Sequence, residues 1–150
     1  MRRNPWLMAG GVLSTAASVL HLAVIAGGPD WYRFFGAGEG MARAAERGSP
    51  TPALITVGIA AILAVWALYA FSGAGLIRRL PLLRTGLVTI TSIYMLRGLL
   101  LFPSLILKPE LVDAFAMWSS LIVLAYGIAY LVGTWTGWRD LSPGVSAQVA

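Results

Sequence analysis

The chain has 150 residues, 58% of them hydrophobic and 11% charged, with a formal net charge of +5 and no cysteine. A soluble domain is about a quarter charged, so this composition cannot cover a soluble surface. The absence of thiols excludes disulfides, thiol redox chemistry of the quinone-linked kind and thiolate metal sites. The positive excess lies in short segments beside apolar blocks, as membrane topology requires, and no nucleic-acid motif accompanies it.

A short basic start, Met1 to Arg3, precedes a first apolar block from about Trp6 to Gly27. The block is longer than the roughly 7–15 residues of a secretory h-region and carries His21 inside it. A retained signal anchor is expected. The second block covers about residues 53–75, the third about 85–107 and the fourth about 114–137. Each is near the roughly 20 residues that cross a bilayer core. The expected fold is all-α, a four-helix transmembrane bundle forming one integral membrane domain over residues 1–150.

The connections differ in kind. Residues 28–52 are long, and about 30–47 can form a helix. Asp30 can cap its start, Glu39 and Arg43 stand in the order that favours an i,i+4 pair, and Gly48 and Pro50 stop it. Trp31, Tyr32, Phe34 and Phe35 at its front favour the membrane interface. A short interfacial or re-entrant helix over the outer mouth of the bundle is expected, with a solvated surface helix as the alternative. Residues 76–84, LIRRLPLLR, form a basic connection, and 108–113, KPELVD, a short turn. The tail 138–150, with Pro143 and Gly144, is expected to fray.

Lys and Arg counts orient the chain. Arg2, Arg3, Arg78, Arg79, Arg84 and Arg139 lie on one side, and Arg33, Arg43, Arg47 and Lys108 on the other, six against four. Neighbouring carboxylates can neutralise the last group's arginines. The positive-inside rule places both termini in the cytoplasm of a bacterial-type inner membrane.

Helices in lipid associate through small residues that allow close approach. Gly10, Ser14, Ala17, Ser18 and His21 mark such a face in the first span. Ala60, Ala61, Ala64 and Ala67 mark the second, and Ala116, Ser119, Tyr126, Gly127, Tyr130 and Gly133 the fourth. These faces read mostly as packing.

Arg97 stands apart. It lies within the third span, where a guanidinium is costly without a partner, water or the interface. Gly86, Ile90, Tyr94, Leu101 and Ser104 share its helical side, which makes that side the more polar one and directs it to the bundle. Snorkelling or a structural ion pair is the other reading. His21 is the single histidine. It suits either a hydrogen-bonded core position or a proton role. Glu39 is the natural counter-ion for Arg97 if its segment dips into the mouth, and otherwise pairs with Arg43. Tyr94, Tyr126 and Tyr130 complete a polar cluster. His21, Glu39, Tyr94, Arg97, Tyr126 and Tyr130 are therefore the candidate ligand-binding residues. Their chemistry suits a lipid-like or quinone-like molecule with a polar or anionic head. No catalytic residue and no metal ligand set is assigned, and no cofactor is identified.

There is no HExxH, no Gly-x-Ser-x-Gly elbow and no paired Asp motif. One histidine cannot supply bis-histidine haem ligation. The layout resembles small four-span bacterial inner-membrane proteins of the DoxX-like type, with four short spans, a longer first external connection with a helical segment, including RFFGAGEG (Arg33 to Gly40), and an arginine in the third span. The resemblance implies an accessory inner-membrane protein and transfers no functional residue. Three functions stay open: an accessory or ligand-binding membrane protein, a structural subunit of a homo-oligomer or larger membrane complex, and a small transporter or membrane enzyme acting on an apolar substrate.

Overall fold

The structure is a computed structural model that describes residues 3–142. Met1, Arg2 and the end of the tail, residues 143–150, lie outside the described residues. Among the described residues six α-helices run in order: α1 (Pro5–Phe34), α2 (Glu39–Glu46), α3 (Thr51–Gly73), α4 (Leu83–Leu99), α5 (Leu101–Leu107) and α6 (Ala114–Thr136). A short 3-10 turn, Pro109–Leu111, joins α5 to α6. No strand occurs among the described residues.

Local chemistry sets the ends. Asn4 caps α1 by accepting from the N–H groups of Trp6 and Leu7 at 3.1 and 3.2 Å. Pro5 sits at the first helical position, where its missing N–H costs nothing. Asp113 caps α6 through the Ala116 N–H at 2.7 Å. Gly28 kinks α1 with φ of 70°, directly before Pro29. The third apolar block divides into α4 and α5 at Leu100. Pro103 has no N–H for the Leu99 carbonyl, so the helical ladder loses a bond there, while Leu100 keeps helical dihedrals and Leu83–Leu107 continues as one span.

Four stretches are long and apolar enough to cross a bilayer: Pro5–Phe34, Thr51–Gly73, Leu83–Leu107 and Ala114–Thr136. Their outward faces carry exposed Val12, Val19, Leu54, Ile62, Leu96 and Trp118, among many others. An apolar surface this continuous exceeds what a soluble monomer leaves in water. The chain is a membrane protein.

The helices pack as two pairs, α1 with α3 and α4 with α6, joined across a seam where α1 meets α6 and α3 meets α4. Small residues set the close approaches. A Cβ on Gly98 would come within 2.8 Å of the Leu124 backbone, and one on Gly133 within 2.9 Å of the Leu7 nitrogen. In α3 the buried stripe is Ala60, Leu63, Ala67 and Ala70, so Ala61 and Ala64, expected on the packing face, point outward. The main core holds Leu7, Leu87, Ile90, Tyr94, Tyr130 and Leu141, towards the end of the bundle that carries the start of α1 and the finish of α6.

Two expectations need correction. The interfacial helix does not run over 30–47. The turn Asp30–Phe34 belongs to α1 beyond its kink, and Gly36 and Gly38, with φ of 67° and 91°, separate it from α2. Asp30 does not start a new helix, and its carboxylate accepts from Arg33 instead. The α2 helix packs mainly on α1 and α3, with Ala42 against Val24 and Tyr32 of α1, and the turn before it brings Gly36 against Phe115 of α6. The tail also begins ordered: Leu141 is fully buried, and the Arg79 guanidinium donates to the carbonyls of Asp140 and Leu141.

Candidate functional site

The candidate residues fall into four separate places. Tyr94, Tyr126 and Tyr130 come together inside the bundle. The ring centroid of Tyr94 lies 5.6 Å from Tyr126, 5.4 Å from Tyr130 and 4.9 Å from Trp66 of α3. The Ser14 Oγ of α1 lies 3.0 Å from the Tyr94 hydroxyl and 2.8 Å from that of Tyr130. Tyr130 donates in turn to the Trp66 carbonyl at 3.1 Å. Its proton is thereby committed, so Ser14 donates to Tyr130 and accepts from Tyr94, and the hydroxyls of Ser14, Tyr94 and Tyr130 are all partnered, with Tyr126 contributing its ring to the cluster. Tyr130 is fully buried and Tyr94 nearly so. A satisfied, closed network of this kind fixes helix positions and leaves no open valence for a ligand.

His21 is half-buried on α1, and its Nδ1 lies 2.7 Å from the Ala17 carbonyl. A carbonyl only accepts, so Nδ1 carries the proton and Nε2 is the free nitrogen. Ser18, on the same face, donates to the Ala60 carbonyl at 2.8 Å. With Ser14 held by tyrosines, no Ser–His pair forms among the described residues.

Glu39 lies on α2, at the end of the bundle opposite the start of α1, and does not approach Arg97. Arg33 grips it with Nε at 2.9 Å from one oxygen and Nη2 at 3.1 Å from the other. Arg33 also reaches Glu46 at 2.6 Å and Asp30 at 3.4 Å, while Arg43 meets Glu39 at 3.0 Å. This clamp ties α2 to the end of α1. The Arg33 guanidinium, with Arg43 behind it, pulls the Glu39 carboxyl down to about 2 from its ordinary 4.5. Arg33 and Arg43 are thus neutralised by neighbours, and Arg33 is a hub that sequence spacing did not single out.

Arg97 is exposed on the chain surface, one helical turn beyond the buried Tyr94. It does not turn into the bundle as its helical side suggested, because the close approach of α4 and α6 at Gly98 leaves no interior space there. Its Nη1 donates to Ser120 Oγ of α6 at 2.9 Å. No carboxylate among the described residues pairs with it. Together they line a pocket of about 380 Å³, where Ser104 and Lys108 add polar groups and Leu101 and Val112 add apolar wall. Pro103 lines it too, so the junction of α4 and α5 shapes the recess. Small-molecule sites run from about 300 to 1,000 Å³ and combine apolar walls with a few polar groups.

Sequence reasoning missed Ser120 and Lys108. It placed Ser119 on the inward face, one residue out of phase. The signal was the i,i+7 row of Ser120, Gly127 and Thr134, all three buried.

Comparison with known sequence families, with curated proteins and with solved structures finds no match for this chain.

Proposed function

We propose that this membrane protein is an accessory protein that binds an amphiphile, lipid-like or quinone-like, at the Arg97 pocket. The reading rests on one observation: a guanidinium within an apolar span has a serine and no carboxylate as its partner, beside a pocket that also holds Lys108. An unneutralised arginine at such depth is costly, and an anionic or strongly polar head placed between Arg97 and Lys108 relieves that cost. The apolar body then lies along Leu100, Leu101 and Leu107. His21, Glu39 and the tyrosine knot are not part of this site.

The arginine asymmetry supports a bacterial-type inner membrane with the start of α1 and the finish of α6 facing the cytoplasm. Arg97 then lies in the outer half, and the DoxX-like architecture supports the accessory role.

The test is native mass spectrometry of the detergent-purified chain. Wild type is expected to carry an amphiphile that Arg97→Leu loses while keeping its helical circular dichroism. No bound amphiphile in either protein would refute the proposal. The exposure of Arg97 also favours a second reading, in which a partner subunit supplies the missing carboxylate. A ligand-free chain that purifies as a stoichiometric complex, and falls apart on Arg97→Leu, would select that reading.

A further inference from the structure

A second cavity, of about 890 Å³, opens at the opposite end of the bundle. Val88 of α4 and Leu131 and Trp135 of α6 form its apolar wall, while Arg3, Trp138 and Arg139, beyond the helix ends, form its mouth. It therefore straddles the level at which hydrocarbon gives way to headgroups. Trp135 is 80% exposed, as an aromatic at that level should be.

Thr134 marks the cavity as a ligand site. Thr15, Thr56, Thr91 and Thr136 each return their hydroxyl to the carbonyl four residues earlier, at 2.7–2.8 Å. This is the usual resolution for a threonine in an apolar helix. Thr134 does not. It is only 6% exposed, its Oγ1 has no partner among the described residues, and it lines the cavity. A buried hydroxyl left without a partner calls for one from outside the chain.

The charges at the mouth set the ligand's sign. Arg3 and Arg139 line it with one acid, Asp140. The Arg84 guanidinium stacks 3.8 Å over the Trp138 ring and adds positive charge behind that wall. Basic pockets between spans at a membrane surface are a recognised mode of anionic-lipid binding. A free phosphate ion would satisfy the arginines but leave the apolar wall empty.

We propose that this cavity binds one anionic phospholipid from the leaflet at the α1 start. The phosphate sits between Arg3 and Arg139, and an acyl chain runs along Val88, Leu131 and Trp135. The Thr134 hydroxyl, covered by the chain itself, meets a polar group of the headgroup or glycerol backbone after rotation about its Cα–Cβ bond. The site is separate from the Arg97 pocket and does not depend on it.

The experiment uses photoactivatable phosphatidylglycerol and phosphatidylcholine in liposomes holding the full chain, with adducts mapped by peptide. Phosphatidylglycerol is expected to label segments 88–92 and 131–140 in preference to phosphatidylcholine. Arg3→Gln with Arg139→Gln is expected to cut that labelling about tenfold or more. Thr134→Val, which keeps the shape and loses the hydroxyl, is expected to cut it less, with helical content unchanged. Arg97→Leu is expected to leave it intact, so failure at the Arg97 pocket is read separately. Equal labelling by both lipids, labelling unchanged by either arginine or threonine variants, or displacement by millimolar inorganic phosphate would overturn the proposal.

Discussion

Replacing Gly98 with alanine probes the contact that holds α4 against α6 and sets the position of Arg97. An added Cβ would lie 2.8 Å from the Leu124 Cα and 2.9 Å from its backbone nitrogen. Ordinary van der Waals contact begins near 3.4 Å, so the shortfall is about 0.6 Å. The obstacle is backbone, which cannot rotate aside, and so α6 as a whole must move. Overpacking of this kind costs about 1–3 kcal/mol. Alanine also gains about 1 kcal/mol of helix propensity over glycine, which would mask part of the loss. Gly58→Ala is the control, because its Cβ would meet nothing within 4 Å. The difference between the two variants isolates the clash. We expect Gly98→Ala to be less stable than Gly58→Ala by about 1–3 kcal/mol in sodium dodecyl sulfate titration of detergent-solubilised protein, read by circular dichroism. Moving α6 also pulls Ser120 from Arg97, so amphiphile retention should fall in Gly98→Ala alone. Stabilities within about 0.5 kcal/mol of each other, the range of ordinary surface changes, would refute the packing described here.

Ser14→Ala should destabilise the bundle by about 1–3 kcal/mol, because it removes the shared partner of two buried hydroxyls and leaves that of Tyr94 unpaired. Tyr94→Phe, which removes the orphan along with the bond, should cost less, near the 0.6 kcal/mol average, roughly, for hydrogen bonds in membranes. The same titration compares them, and equal losses would count against the network. The Arg33 guanidinium pulls the Glu39 carboxyl of α2 down to about 2, well below its ordinary 4.5. A depressed folded value means that the clamp's contribution is fully present above about 4.5 and is lost as pH falls towards 2. A carboxyl resonance titration of Glu39 should show the low midpoint in wild type and an ordinary one in Arg33→Gln. The same ordinary midpoint in both would contradict the clamp.

Much of this architecture was legible because bilayer crossing imposes length and hydropathy on each span. What escaped were features decided by phase and by single residues. Gly28, Gly36 and Gly38 divide the first connection into a turn belonging to α1 and a separate α2, although the pattern from Asp30 to Arg47 permits one helix. Arg97 shares a helical side with Tyr94 on an ideal wheel. The tight α4–α6 contact at Gly98 leaves one buried and the other at an open edge. The three tyrosines were recognisable as a cluster, yet the pairing of Tyr94 and Tyr130 through Ser14 depends on helix depth, which one sequence does not give. Glu39 found a nearer cation in Arg33, six residues before it, because the kink and turn fold that arginine back over α2.

The Ser14 knot has a consequence for motion. Oxygens from α1, α3, α4 and α6 meet there through bonds of 2.8, 3.0 and 3.1 Å. Sliding any one of these helices along its neighbours by a single turn, about 5.4 Å, breaks at least one of these bonds, and all three if α1 and α6 shift in opposite directions. The knot therefore works as an axle pin: it opposes piston-like travel and leaves tilting about its own level free of that cost. Splaying the ends around that point keeps all three bonds, whereas carrying a helix through the membrane breaks at least one of them.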